Sequence, residues 1–204
     1  MRVHPIVTIA FVPVMLAACA HAMAQPNPMH PAAMTMPANA AMSGNVMVGG
    51  QAMYPTRNIV QNAVNSADHT TLVAAVKAAG LVPTLEGKGP FTVFAPTNEA
   101  FAELPAGTVQ SLLKPANKAE LVKILTYHVV PGHYDFADLA KLIRQGGGKA
   151  ELKTVEGGML TLAMNGPRNI TVTDAKGDTA DITTYDVNQS NGVIQVIDKV
   201  LLPG

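Results

Sequence analysis

Two histidines stand close together in the sequence, His128 and His133, with Tyr127 before the first and Tyr134-Asp135 after the second. Imidazole and carboxylate groups at this spacing can ligate a metal ion or act as an acid–base pair. The alternative is structural, because a histidine at the end of an apolar helix usually hydrogen-bonds a buried backbone group. We favour the structural interpretation and predict that none of these residues is catalytic or binds a metal.

The rest of the sequence contains no residue pattern typical of an active site. None of the four serines lies in a G-x-S-x-G turn, and the sequence has no H-E-x-x-H motif. The Gly87-Lys88-Gly89 turn lacks the first glycine and the Ser or Thr of a phosphate-binding loop. We therefore predict that the protein is not an enzyme and needs no cofactor.

A stretch rich in Met, Ala, Pro and Asn, residues 25–56, contains no Asp, Glu, Lys or Arg. Thioether and imidazole groups suit Cu(I), so Met29, His30, Met34 and Met36 are the candidate ligands of a copper-binding tail. Their spacing is irregular, and composition alone cannot impose a coordination geometry. The favoured interpretation is a disordered linker.

The first 24 residues have the pattern of a secretory signal peptide, with Arg2 followed by an apolar run that ends at Ala18. Two alternative cleavage sites fit this pattern. Residues 16–19 resemble a lipobox, which would place a lipid on Cys19, the single cysteine of the chain. Alternatively, the A-x-A pattern at 22–24 would release a chain that starts at Gln25. Both alternatives predict export, to the periplasm, the outer surface or the extracellular space.

The remaining residues, 57–204, are predicted to form one domain without disulfides, because they contain no cysteine. The sequence has 14 basic and 14 acidic residues, a balance that does not point to nucleic acid or to an acidic lipid surface as a partner. Any contact with a membrane would pass through the signal peptide or a lipid on Cys19.

The two most apolar stretches of this domain lie about a hundred residues apart. The segment Phe91–Phe101 is predicted to be a strand that Pro96 ends and a helix that the Thr97 hydroxyl caps. Residues 193–202 are mostly apolar and β-branched, as in a strand buried on both faces. We predict that the two strands pair. Helical patterns come first and strand patterns later, which indicates an α+β fold.

Two polar residues are predicted to stabilise this fold locally. Asn117 and Glu120 have the spacing of a capping box at the start of a helix. Asp198 lies inside the apolar C-terminal strand, where a carboxylate is costly unless it accepts hydrogen bonds. We predict that it accepts them from loop N–H groups near the Phe91–Phe101 corner.

Three blocks, TVFAPTNEAF at 92–101, YHVVPG at 127–132 and NGVIQVIDKVLLP at 191–203, resemble the fasciclin-like domain in identity and order. The resemblance covers roughly residues 57–203 and implies a wedge-shaped β-sandwich with helices packed around it. Two residues depart from the family pattern: Gln195 stands where His is common, and Asn98 where Asp is common.

The resemblance also implies a function, an exported module that binds a protein or polysaccharide at the cell surface, matrix or envelope. In some animal members the Tyr-His pair is linked to adhesion, so Tyr127 and His128 are candidates for partner binding. A buried structural role explains the pair equally well. Two alternative functions are a carrier of a small apolar ligand, held between helices and strands, and copper handling by the Met-rich linker.

Overall fold

The computed structural model describes residues 45–204. In it, strand β3 (Phe91–Pro96) lies beside strand β9 (Gly192–Ile197), and the two are the second and third strands from one edge of the sheet. The two strands are parallel, and the register runs from Phe91 opposite Gly192 to Pro96 opposite Ile197. Every residue of β9 is buried, as expected of a strand covered on both faces. The predicted long-range pairing is therefore confirmed.

Five more strands complete a seven-stranded sheet: β4 (Val129–Pro131), β5 (Lys149–Lys153), β6 (Met159–Met164), β7 (Ile170–Thr173) and β8 (Thr179–Gln189). Their order is β4-β3-β9-β8-β7-β6-β5, and every pair except β3–β9 is antiparallel. The Val155 N–H donates to the Val129 carbonyl at 2.8 Å, which links the two edges of the sheet. The twisted sheet is thus nearly closed on itself.

Helices cover this sheet: α1 (Ile59–Ala63), α2 (Thr70–Ala79), α3 (Val82–Leu85), α4 (Asn98–Ala102), α5 (Thr108–Leu112), α6 (Lys118–Tyr127) and α7 (Phe136–Gln145). The predicted α+β class and the wedge-shaped sandwich with packed helices are confirmed. Within residues 45–204 no helix has the length and apolar character needed to cross a membrane.

The sheet separates two apolar cores. One lies against α1 to α6 and includes Leu72, Val76 and Ile194. The other lies between the folded sheet and α7 and includes Phe94, Leu139 and Ile197. Successive side chains of a strand point to opposite faces, so β3 and β9 each contribute to both cores. The two strands are apolar on both faces for this reason.

The folded region begins before the predicted boundary at Arg57. Strands β1 (Met47–Val48) and β2 (Gln51–Ala52) form a hairpin, with Gly49 and Gly50 at φ +59° and +71° in its turn. The Val48 and Met53 side chains are buried in the helical core. The linker prediction therefore does not hold for residues 45–56, and the predictions for the signal peptide, Cys19 and Met29–Met36 lie outside the described residues.

One predicted helix cap is confirmed and another is wrong. The Thr97 Oγ1 accepts the Ala100 N–H at 3.3 Å at the start of α4. Asn117 makes no capping box, because its backbone (φ −104°, ψ 13°) lacks the extended conformation of a capping residue, and its amide donates to the Ser111 carbonyl at 2.9 Å.

Helix α2 is capped from a distant part of the chain. The Asn98 Oδ1 accepts the Thr71 N–H at 3.0 Å, and its Nδ2 donates to the Ala67 carbonyl at 2.8 Å. One amide side chain thereby joins the start of α4 to the start of α2. Asn98 is one of the two departures from the fasciclin pattern, and it serves this link with both of its polar atoms.

Candidate partner-binding site

His128 follows helix α6 and lies wholly inside the protein, with 2% of its surface exposed. Its Nδ1 lies 2.8 Å from the Ile124 carbonyl, and its Nε2 accepts the Leu201 N–H at 3.0 Å. These partners require a neutral ring with the proton on Nδ1. Burial lowers the pKa of His128 to about 4, against a smaller opposite effect of the Ile124 carbonyl. The ring is therefore uncharged at neutral pH.

Tyr127 is the last residue of α6 and is fully buried. Its hydroxyl donates to the Met159 carbonyl at 2.8 Å and accepts the Ala175 N–H at 3.0 Å. Burial raises the pKa of Tyr127, so the hydroxyl stays protonated and keeps both bonds at neutral pH. The side chain thereby joins α6 to the start of β6 and to the turn after β7.

Asp174, in the turn after β7, completes this buried polar group, and it was not among the predicted site residues. Its Oδ1 accepts the Lys176 and Asp178 N–H groups at 2.9 Å each, and its Oδ2 accepts the Leu202 N–H at 2.8 Å. An Asp that opens a short turn often accepts hydrogen bonds from the next few backbone N–H groups, so the two local bonds could have been predicted from the sequence. The bond to the Leu202 N–H could not, because Leu202 lies 28 residues further along the chain.

We use the name clasp for Tyr127, His128 and Asp174 together. His128 and Asp174 hold consecutive residues of the C-terminal segment, Leu201 and Leu202, and Tyr127 holds the turn after β7 and the start of β6. The geometry favours the structural alternative for Tyr127 and His128, because neither side chain reaches the surface.

The clasp supports an exposed segment, residues 155–159, that we call the 155–159 loop; it consists of the turn after β5 and Met159, the first residue of β6. The Val155 and Met159 side chains are 45% and 43% exposed. The loop backbone is anchored by bonds from the Val155 and Glu156 N–H groups to β4 and α6 and by the Tyr127 bond to Met159. A Cβ on Gly158 would lie 2.7 Å from the Tyr127 ring, so this position requires glycine.

The other residues of the His–Asp group, which we considered as a metal or acid–base site but did not favour, do not meet. His133 is exposed, and its Nε2 lies 3.2 Å from the Asn188 Oδ1. The Asp135 Oδ1 accepts the Asp138 N–H at 2.8 Å as the N-cap of α7. Across residues 45–204, no three His, Cys, Asp or Glu side chains are placed to hold a metal ion.

Gln195, the other departure from the fasciclin pattern, is fully buried in β9. Its Oε1 accepts the Asp186 N–H, and its Nε2 donates to the Tyr134 carbonyl and the Asp186 Oδ1, all at 3.1 Å. The amide thus joins β9 to a bulge in β8 and to the segment before α7. Its hydrogen-bonding atoms are used within the fold.

Asp198 accepts a backbone hydrogen bond, but from a neighbouring strand. Its Oδ1 accepts the Asp181 N–H of β8 at 2.8 Å, and its own N–H donates to the Asp181 carbonyl at 3.2 Å. The donor is therefore a strand residue and not the predicted loop N–H, whereas the predicted location is right, because the carbonyl of the preceding Ile197 accepts the Thr97 N–H at 3.2 Å at the Phe91–Phe101 corner. Asp181 and Asp198 thus extend the β8–β9 pairing by one residue beyond Ile182 and Ile197, and the Asp181 N–H is the donor that the Asp198 carboxylate requires.

Comparison with known proteins places the chain in a family. Residues 67–203 match the model of the fasciclin domain. Protein sll1483 of Synechocystis is 48% identical over 78% of this chain and 81% of its own length, and the uncharacterized protein sll1735 of the same organism is 42% identical over 72% and 98%.

A solved structure has the same fold. It is the FAS1 domain pair from the insect cell adhesion molecule fasciclin I, which matches with a TM-score of 0.64 and 18% identity over 72% of this chain and 51% of that chain. The chain belongs to the fasciclin domain family.

Proposed function

We propose that this protein is an exported, non-catalytic module that attaches to a protein or polysaccharide at the cell surface, matrix or envelope. Family membership and the similarity to a domain pair from an adhesion molecule support this proposal. The observation that carries it is the 155–159 loop, which presents two apolar side chains beside a buried clasp. Tyr127 and His128 then serve binding indirectly, by holding that loop and the adjoining C-terminal segment.

The anchoring of the loop is what suits it to binding. A loop that is ordered before it meets its partner loses less conformational entropy on association than a free loop does. Val155 and Met159 supply apolar area, and the nearby Lys123–Glu156 pair, at 3.9 Å, supplies a polar edge. An apolar centre with a polar rim is the usual composition of a protein interface.

Retention of the purified exported chain on intact cells of the source organism tests this proposal. The test variant is V155S/M159S, and the matched control is M47S/V64S, which removes two apolar side chains that are 59% and 48% exposed elsewhere on the domain. We expect the loop variant to be retained at least about fivefold less than the wild type, corresponding to about 1 kcal/mol, and the control to be retained normally.

Equal retention of the two double variants would contradict the assignment of the loop. Y127F provides an independent check, since it removes the hydroxyl that holds Met159 but leaves both exposed side chains unchanged. Retention of Y127F should fall between the wild type and V155S/M159S. If the wild type itself is not retained above background, the adhesion proposal as a whole fails.

Export and anchoring are tested separately, by the intact mass of the protein purified from its native host. A chain that begins at Cys19 and carries diacylglycerol would establish the lipid anchor. A chain that begins at Gln25 would establish the soluble alternative. A chain that still begins at Met1 would contradict export by either route.

A further inference from the structure

A cleft of about 500 Å³ lies at the end of the sheet where β3 and β9 begin. Three parts of the chain form most of its walls: the residue that caps α1, the turn at 86–90 after α3, and residues 189–192, where β8 turns into β9. A volume of about 300–1,000 Å³ is typical of sites for small molecules. The cleft shares no residue with the 155–159 loop, so what it binds is independent of the adhesion proposal.

Asn191 holds these walls together. Its Oδ1 accepts the Ile59 N–H at the start of α1 at 3.1 Å. Its Nδ2 donates to the Leu85 and Gly87 carbonyls, at 2.7 and 3.0 Å, and so fixes the turn after α3. Because the three walls are joined before a ligand arrives, binding need not order them, which lowers its entropic cost.

Polar side chains that line the cleft have unused hydrogen-bonding capacity. Glu86, Lys88 and Ser190 are exposed, and within residues 45–204 their side chains have no hydrogen-bond or salt-bridge partner. The Asn58 Oδ1 accepts the Gln61 N–H at 2.8 Å as the cap of α1, which leaves its Nδ2 without a partner in the same residues. The cleft thus offers donors, an acceptor carboxylate and a hydroxyl that can do both.

We propose that this cleft binds a neutral saccharide. Sugar hydroxyls donate and accept hydrogen bonds, so they match a lining that offers both kinds of partner. A phosphate or a carboxylate would meet the like charge of Glu86, and a cation would meet that of Lys88. Since a cavity of about 150 Å³ can hold one benzene ring, about 500 Å³ leaves room for two sugar rings.

An aromatic ring lies beside the cleft. The Ser190 N–H donates to the Arg57 carbonyl at 2.9 Å, and the Arg57 guanidinium lies over the Tyr54 ring, 4.7 Å from its centre. The Tyr54 side chain is nevertheless 42% exposed. Arg57 covers one face of this ring and holds it in place, so the other face can stack on the apolar C–H face of a sugar.

The test is a titration of the full exported chain, labelled with ¹⁵N, with cellobiose, maltose and N,N′-diacetylchitobiose, followed by NMR of the backbone amides. These neutral disaccharides differ in linkage and in ring substituents. We expect at least one of them to shift the amides of residues 86–89 and 190–192, with a Kd on the order of 1 mM. Inorganic phosphate, the anionic comparison, should leave these amides unchanged.

Two pairs of variants test the lining and the ring. E86A/K88A should weaken binding of the disaccharide at least about fivefold, and the matched control E103A/K114A, which removes an exposed Glu and an exposed Lys outside the cleft, should bind as the wild type does. Y54F keeps the ring and should bind normally, whereas Y54A should bind at least about threefold more weakly. Amide resonances outside the cleft that match the wild type show that each variant is folded.

The proposal is wrong if none of the three disaccharides shifts the amides of the cleft at about 20 times the expected Kd. It is also wrong if phosphate shifts them as strongly, since the site then binds anions, or if E86A/K88A and E103A/K114A bind equally well. Shifts confined to amides elsewhere would place saccharide binding on another surface and would contradict the cleft in the same way.

Discussion

His128 should make the stability of the domain depend on pH between about 6.5 and about 4. The unfolded chain binds a proton at the ordinary histidine pKa of 6.5, whereas burial lowers the pKa in the folded state to about 4. Between these values the unfolded state binds more protons, so acidification favours unfolding. The contribution of the neutral His128 ring to the free energy of unfolding is fully present above pH 6.5. It falls as the pH drops toward 4 and does not change further below that.

The magnitude follows from the same two pKa values. Their difference, at about 1.4 kcal/mol per pKa unit, corresponds to about 3 kcal/mol lost between pH 7 and pH 4. The assay is urea unfolding of the wild type and H128Q at several pH values in this range. His69 and the other ionisable side chains are common to both proteins, so subtracting the two free energies of unfolding isolates the effect of position 128.

We expect H128Q to be less stable at pH 7, because glutamine cannot serve both the Ile124 carbonyl and the Leu201 N–H in this position. The wild-type advantage should then shrink by about 3 kcal/mol on going to pH 4. H133Q, which replaces an exposed histidine, should show no such change relative to the wild type. Parallel pH profiles for the wild type and H128Q would refute the reasoning.

Substitutions at three further positions test individual contacts by urea or thermal unfolding. D198A leaves the Asp181 N–H without its acceptor and should cost about 1–3 kcal/mol; an unchanged melting temperature would contradict this. N98A removes the cap on the Thr71 N–H and should cost about 1–2 kcal/mol, while N98D, which keeps the acceptor, should cost less; equal losses would argue against the capping role. G89A places a Cβ 1.9 Å from the backbone carbonyl oxygen of Asn191 and should cost more stability than D198A or N98A. A free energy of unfolding within about 0.5 kcal/mol of the wild type, the usual size of a neutral surface change, would contradict the close contact between residues 89 and 191.

Strands β3 and β9 could be predicted because each carries its own signal. A run of apolar β-branched residues describes a strand buried on both faces, and Pro96 and Thr97 mark the change to a helix by local chemistry. The start of the domain could not be predicted in this way. Val48 and Met53 are isolated apolar residues in a polar stretch, and only their packing against distant helices makes them part of the core.

The sequence by itself determined the family, the α+β class and the pairing of β3 with β9, since these follow from local patterns and from blocks of matching residues. It could not choose between the binding and structural interpretations of Tyr127 and His128. Their partners Met159, Ala175 and Leu201 lie 32, 48 and 73 residues further along the chain. A hydrogen bond at such a separation depends on how the sheet folds around the helix end, so only the tertiary structure could place both side chains inside and the 155–159 loop outside.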